Sequence, residues 1–128
     1  MKSDTEKKVE IFHCPSHRNF KFDNYNLSYG YNYYAFGYTS QPPTPSRSVK
    51  YSMIKDLNTI VIADSSGRAV VNDIIVHSYT GFNYPIGDRH SGGANVLWAD
   101  WHVSWHLKKL LDDGSIATYY KYWTIEKE

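Results

Sequence analysis

Hydrophobic and polar residues alternate along residues 94–106, with an interruption at Asp100-Trp101. Alternation with a period of two residues is typical of a strand with one buried face. Two such runs on either side of a two-residue reversal predict a β-hairpin with its tip at Asp100-Trp101. One predicted face is aromatic and aliphatic, with Trp98 paired to Val103 and Val96 paired to Trp105. The opposite face carries the mostly polar set Asn95, Leu97, Ala99, His102, Ser104 and His106.

Four further segments predict the remaining elements. The β-branched run 58–64 favours a buried central strand, and the tyrosine-rich run 29–36 favours another strand. Residues 107–113 predict a short helix with Leu107, Leu110 and Leu111 on one face, ended by Gly114 in the left-handed conformation. Residues 116–125 are apolar and aromatic, and their pattern does not distinguish a helix from a strand. The expected fold class is α+β, a mainly antiparallel sheet with short helices.

Length and composition favour one domain, residues 1–128, in which residues 1–10 form a polar lead-in. The formal net charge is +1 and no basic run occurs, so the sequence gives no indication of a nucleic-acid partner. No apolar run approaches the roughly 20 residues of a membrane-spanning helix. The single cysteine, Cys14, excludes an intrachain disulfide, and its place before Pro15 predicts a buried structural residue.

Motifs of catalysis are missing from the sequence. It contains no Gly-rich phosphate loop, no paired-His zinc helix and no Ser nucleophile elbow, so we predict a non-enzymatic protein without a required cofactor. His102 and His106 on one strand would lie about 13 Å apart at ~3.3 Å per residue, which disfavours a shared zinc ion. Calcium is a better candidate because carboxylates end or flank the predicted strands. Its candidate ligands are Asp64, Asp88 and Asp100.

Residues 89–103, RHSGGANVLWADWHV, also carry a family resemblance. They resemble the C-terminal signature of pilin-like proteins that have a prepilin-type cleavage/methylation helix. In that signature an Arg-His pair and a small-residue loop lead into a strand and an Asp-Gly turn, with the His ten positions before the Asp. Here those residues are His90 and Asp100, but Trp101 replaces the Gly. Three shorter segments resemble the same family: Cys14-Pro15-Ser16, Ser28-Tyr29-Gly30-Tyr31-Asn32, and residues 57–64 with Asp64 as the terminal acid.

This resemblance implies a pilin-like or pseudopilin-like globular head without its long N-terminal helix. It also implies a structural subunit of a type II secretion or type IV pilus-like filament. The expected partners are other pilin-like subunits or secretion machinery. The expected location is extracytoplasmic, with the full-length form anchored to the inner membrane through the missing helix alone. The signature residues are His90, Gly92, Gly93, Asp100 and Trp101.

The signature residues also have local interpretations. Asp100 is either an ion ligand or a turn residue that bonds its own backbone, and His90 is a candidate strut for the Gly92-Gly93 loop. We further expect His90 and Asp100 to approach each other. A tight turn favours φ > 0 at its second central residue. Trp101 therefore implies either another turn type or a strained backbone whose indole ring is held by a neighbour.

Two other functions compete with the structural one. A carbohydrate-binding module would use exposed, coplanar aromatic rings, for which the candidates are Tyr31, Tyr33 and Trp101. A metal-dependent hydrolase would need Asp64, His90 and Asp100 to converge on one open cleft.

Overall fold

The computed structural model describes residues 13–17, 28–36, 50–66, 74–81 and 84–125. The predicted lead-in, residues 1–10, lies outside these ranges. The strands are β1 (Tyr29–Asn32), β2 (Ile60–Asp64), β3 (Ile74–Ile75), β4 (Gly93–Trp98) and β5 (Val103–Leu107). The α-helices are α1 (Tyr33–Phe36), α2 (Lys108–Leu111) and α3 (Ile116–Tyr122), and short 3₁₀ turns span Tyr51–Met53 and Ser78–Thr80.

The five strands form one sheet in the order β3-β1-β2-β4-β5. The α+β class is therefore confirmed, and β2 is the predicted central strand. The sheet is mixed rather than antiparallel, because β3 pairs with β1 in parallel. The chain runs up β1, down β2 and up again in β3. β3 pairs with β1 on the side away from β2, and the chain runs in the same direction along both strands.

One face of the sheet packs against the carboxyl-terminal helices. Val96 and Trp98 from β4 belong to the same buried cluster as Leu111 and Trp123, the latter directly after α3. The Trp123 indole N–H donates to the Leu111 carbonyl at 2.7 Å, so the one polar atom of this buried ring has a partner. The undecided segment 116–125 forms a helix over Ile116–Tyr122, and the buried residues Trp123 and Ile125 follow it. Among the described residues, no helix has the length and apolar character needed to cross a membrane.

The predicted hairpin forms, but its predicted register was wrong. Three residues, 99–101, make the turn: the Trp98 N–H donates to the His102 carbonyl, and the Trp101 N–H donates to the Trp98 carbonyl. One extra turn residue shifts the pairing by one position, and a shift of one exchanges the faces of a strand. Leu97 therefore pairs with Val103, which is exposed rather than buried. The buried face of the hairpin instead places Trp98 against Ser104, His102 and His106.

Trp101 has a backbone φ of 70°, in the left-handed region that usually needs glycine. The turn is therefore of the three-residue kind, with Trp101 at the position where this turn favours glycine. The alternative that a neighbour holds the indole ring was wrong, since 66% of Trp101 is exposed to solvent. The strain is thus a feature of the backbone alone.

Two other boundaries differ from the prediction. The strand expected over 29–36 ends at Asn32, and a helical turn follows. The Asn32 side chain explains the change, because its amide donates to the Ile60 and Trp123 carbonyls while its oxygen accepts from the Ala35 N–H. Leu110 was expected on the apolar face of α2 but is exposed, because only one turn of helix forms there and Leu111 alone reaches the core.

Replacing Trp101 by glycine should stabilise the fold. A left-handed conformation disfavours a residue with a Cβ by about 1–2 kcal/mol, and part of that gain is offset by the greater freedom of glycine in the unfolded chain. We expect Trp101→Gly to raise the free energy of unfolding by about 1 kcal/mol in urea titrations. Trp101→Ala is the matched control, because it removes the ring and keeps the strain. If both variants had the same stability, the backbone of residue 101 would not be strained.

Candidate functional site

Residues from three distant segments meet at the end of the central strand. The Cys14 sulfur lies 3.3 Å from His90 Nε2, and the same nitrogen lies 3.6 Å from Asp64 Oδ1. We call Cys14, Asp64 and His90 the Cys-Asp-His cluster. In the part of the chain that the structure describes, it is the only group of three or more His, Cys, Asp or Glu side chains whose ligand atoms all lie within 4.8 Å of one another.

Asp64 is the last residue of β2, and its side chain is fully buried. A buried carboxylate is stable only when charges and hydrogen bonds compensate it. Arg89 donates to Oδ1 at 3.0 Å, and the Asn95 backbone N–H donates to Oδ2 at 2.8 Å. The Arg89 guanidinium also donates to the Ser28 and Ser65 carbonyls. Arg89 therefore joins two segments of backbone to the carboxylate, and the buried charge is fully accounted for.

A tight turn positions His90. His90 and Gly93 exchange backbone hydrogen bonds, and Ser91 and Gly92 between them have φ of 55° and 79°. Positive φ at both central residues is the pattern of a type I′ turn. The Trp105 indole donates to the His90 carbonyl at 2.7 Å and covers Gly93, where a Cβ would lie 2.6 Å from the ring. Backbone hydrogen bonds and the indole hold the loop, and the imidazole extends to the cluster, while a strut role for His90 stays a prediction.

Cys14 is buried, as predicted, and is held by its own backbone. Its N–H donates to Ser28 Oγ at 2.8 Å, and the same hydroxyl lies 2.9 Å from His17 Nδ1. Burial lowers the pKa of His17, and the Arg89 charge and His13 lower it further. Burial raises the pKa of Tyr29, and nearby Cys14 and Asp64 raise it further. A tyrosine hydroxyl that stays protonated therefore lies beside the cluster.

The geometry of the cluster does not match a catalytic triad. In a triad the nucleophile and the carboxylate contact opposite nitrogens of the imidazole, so that one orients the ring while the other exchanges a proton. Here both Cys14 and Asp64 contact Nε2. Three different donor atoms converge on one region instead, and such convergence is what a metal ion requires.

The other predicted site residues are not brought to this cluster. Asp88 is exposed, and Asp100 lies at the hairpin tip beyond the carboxyl end of β4. The structure therefore does not bring together the three carboxylates proposed for calcium, and calcium binding at any of them stays a prediction. The hydrolase set is also incomplete, because Asp64 and His90 meet without Asp100.

The expected contact between His90 and Asp100 is not made. Asp100 instead accepts a hydrogen bond from the His102 backbone N–H at 3.1 Å and also contacts the His102 ring. These bonds hold the pKa of Asp100 below its usual range. The interpretation of Asp100 as a turn residue that bonds its own backbone is therefore confirmed.

The tyrosines proposed as a ligand platform are half-buried. The ring centroids of Tyr31 and Tyr33 lie 6.3 Å apart, with their planes tilted by 56°. Two rings at this angle do not form a flat surface for a sugar ring, and Trp101 is the predicted aromatic that the structure leaves open to solvent.

Sequence reasoning missed the roles of Cys14 and Arg89 in this site. The signal for Arg89 was present, because a carboxylate that ends an apolar central strand needs a buried cation, and Arg89 adjoins the signature His90. For Cys14 there was none, since a lone cysteine beside a proline indicates burial and not its partners.

A second buried polar group, at His77, joins the 3₁₀ turn Ser78–Thr80 to the end of α2. The Tyr79 N–H donates to His77 Nδ1 at 3.0 Å, so the neutral ring carries its proton on Nε2. Nε2 lies 3.2 Å from Asp112 Oδ1, but its N–H does not point at that oxygen and makes no hydrogen bond. The neutral ring and the carboxylate therefore lie close together without a hydrogen bond. Burial lowers the pKa of His77, although Asp112 and Asp113 act in the opposite direction.

Removing the charge of Asp64 should strongly destabilise the protein. Asp64→Asn keeps the shape but leaves the Arg89 guanidinium without its anion, and breaking a buried pair in this way costs about 3–5 kcal/mol. We expect a loss of about 3 kcal/mol in the free energy of unfolding, measured by urea titration. Asp100→Asn is the control: it lies in an exposed pair with His102 and should lower stability far less than Asp64→Asn does. Equal losses in the two variants would contradict the assigned role of Asp64.

Stability should fall with pH below about 6.5, the ordinary histidine pKa. Since the folded-state pKa of His77 is depressed, the unfolded chain binds more protons there, and stability is lost as pH falls. We expect Tm to decrease between about pH 7.5 and 5.5, and His77→Asn to weaken that decrease. The pKa of His17 is also lowered, so a variant that replaces both His77 and His17 should weaken the decrease in Tm further.

The pH dependence of Asp113 separates it from the histidines. Hydrogen bonds from Ser115 lower the pKa of Asp113 to about 2, so the contribution of Asp113 to stability is lost only below about pH 4.

Wild-type and His77→Asn proteins with identical Tm profiles between about pH 7.5 and 5.5 would show that His77 is not the titrating group.

Comparisons with family models, with curated proteins and with solved structures gave no match to this chain.

Proposed function

We propose that this chain is the globular head of a pilin-like filament subunit, a structural and non-enzymatic protein on the extracytoplasmic side. The observation that carries the proposal is spatial. Each of the four segments that resemble the pilin-like family contributes to the surroundings of one buried site.

The contacts between these segments are specific. Cys14 bonds to Ser28 through its N–H and contacts His90 through its sulfur. Asp64 bonds to Arg89, which in turn bonds to the Ser28 carbonyl. Segments separated by up to 76 positions therefore form one physical unit. Such a unit is a reason for short motifs to occur together in one chain, which supports the resemblance.

A mechanical role suits this arrangement. In a pilin-like subunit the head joins its anchoring helix on the amino-terminal side, so force on the filament would enter the head near Cys14. The cluster links Cys14 to the central strand through His90 and Asp64 instead of to an edge strand. A buried polar network with satisfied hydrogen bonds makes its surroundings rigid, which suits a part of the head that carries load.

The hairpin offers a surface for a neighbouring subunit. β5 is one of the two edge strands of the described sheet, and it exposes Val103 and Trp105 on the face away from the helices. Trp101 extends the exposed apolar surface at the tip. Edge strands with apolar outer residues are prone to pair with other chains. The proposed occupant is a second pilin-like subunit of the same filament.

Cysteine cross-linking in the organism that encodes the protein tests this function. Val103→Cys places a thiol at a residue that is 65% exposed, and the native Cys14 is buried. After mild oxidation of sheared surface material, we expect full-length Val103→Cys subunits to form disulfide-linked dimers. Lys50→Cys, exposed outside the hairpin, is the control and should not cross-link. Full-length protein that never enters the sheared fraction, or equal cross-linking of both variants, would refute the proposal.

One observation favours carbohydrate binding as a second candidate function. Trp101 stays exposed at a backbone conformation that glycine would adopt without strain. Strain kept at an exposed aromatic residue is typical of functional positions. On a glycan array, Trp101→Gly should lose any binding of the wild-type protein, and Trp101→Phe should retain part of it. Because the glycine variant is expected to fold well, a loss of binding would be due to the ring. Absence of binding by the wild-type protein would eliminate this candidate.

A further inference from the structure

We propose that the Cys-Asp-His cluster is a binding site for a divalent cation of the zinc class, held by Cys14 Sγ, Asp64 Oδ1 and His90 Nε2. This inference does not depend on the filament role, since it concerns the head alone.

The distances in the cluster fit one tetrahedral ion. With zinc–ligand bonds of about 2.0–2.3 Å, the sulfur and nitrogen of a tetrahedral site lie about 3.6 Å apart, and its nitrogen and oxygen about 3.4 Å. The observed separations are 3.3 Å for Cys14 Sγ to His90 Nε2 and 3.6 Å for His90 Nε2 to Asp64 Oδ1. The third separation, from Cys14 Sγ to the Asp64 carboxylate, is within 4.8 Å, so these two donors would move closer to each other around a bound ion.

The donor set selects the kind of ion. Sulfur, imidazole nitrogen and carboxylate oxygen together suit Zn²⁺ and its neighbours in the first transition series. Calcium and magnesium prefer oxygen ligands alone and would gain little from Cys14 or His90. The cluster is therefore a different site, for a different ion, from the calcium site expected of Asp64, Asp88 and Asp100.

Arg89 orients the carboxylate and does not exclude the ion. An ionised carboxylate offers about four lone-pair sites, and the bonds from Arg89 and Asn95 to Asp64 occupy two of them. Hydrogen bonds to a ligating carboxylate are a usual way of fixing its direction. The guanidinium charge opposes a second cation, whereas a thiolate at Cys14 adds the negative charge that a bound ion requires.

The three donors are held by separate backbone features. Asp64 ends β2, His90 lies in the type I′ turn, and Cys14 is fixed by the bond from its N–H to Ser28. The site is therefore formed in advance of binding. Three protein ligands leave a fourth position, and access to it lies on the His90 side, where 27% of that side chain is exposed while Asp64 is buried.

Cobalt titration of the purified chain tests the site. Co²⁺ is a spectroscopic substitute for zinc, and a thiolate ligand gives it a charge-transfer band in the near ultraviolet. We expect the wild-type protein to bind one Co²⁺ with that band and with the intense visible bands of tetrahedral cobalt. Zn²⁺ should displace the cobalt and abolish both signals, and Ca²⁺ should not.

Two variants test the sulfur and nitrogen ligands, and a third is their control. Cys14→Ser should lose the charge-transfer band, and His90→Gln should weaken cobalt binding by more than about tenfold. His102→Gln is the matched control, because His102 is an exposed histidine outside the cluster, and its cobalt affinity should equal that of the wild type. A band that survives in Cys14→Ser, or an equal loss in His102→Gln, would overturn the proposal.

A measurement on the wild-type protein avoids any dependence on the folding of the variants. X-ray absorption at the zinc edge should show one sulfur at about 2.3 Å together with nitrogen or oxygen neighbours. A zinc shell without sulfur, in a chain whose circular dichroism shows it to be folded, would overturn the site. Because neither measurement involves a filament, its failure is distinct from failure of the proposed function.

Discussion

The rest of the described structure depends on how one buried negative charge, that of Asp64, is compensated. The carboxylate lies at the end of the central strand, where water is excluded, so its solvation must come from the protein. Arg89 supplies the charge, and the Asn95 N–H supplies a backbone dipole from the neighbouring strand. Because Arg89 also binds two carbonyls, the same interaction fixes Ser28 at the start of β1 and Ser65 directly after β2. The guanidinium that compensates the Asp64 charge therefore also holds these two backbone segments together.

A second constraint acts through turn length. The hairpin turn uses three residues, and this places Trp98 in the core and Val103 in solvent. The preceding type I′ turn uses two residues and presents His90 to the cluster. The hairpin turn determines which side chains of β5 face solvent. The type I′ turn determines where the His90 imidazole lies. Local backbone geometry therefore sets both the exposed surface and the buried site.

Much of the fold could be predicted from sequence patterns, because those patterns reflect short-range physics. The run ending at Asp64 indicated a central strand, and the alternation around Asp100 indicated a hairpin. The register could not be predicted, since it depends on whether Trp101 accepts a left-handed backbone, and its side chain gives no sign of that. The cluster was beyond prediction for another reason. Contacts such as Cys14 with His90 join residues that no local periodicity relates, and sequence spacing alone does not specify them.

The link between Cys14 and His90 also has a consequence in time. The two residues are 76 positions apart, so closing that loop costs chain entropy that only the completed sheet repays. The hairpin, in contrast, is local and can form within microseconds. Because synthesis starts at the amino terminus, Cys14 is made 76 residues before its contact partner His90. Until the sheet forms, the Cys14 thiol lacks the burial that it has in the folded protein, and an exposed thiol is open to oxidation.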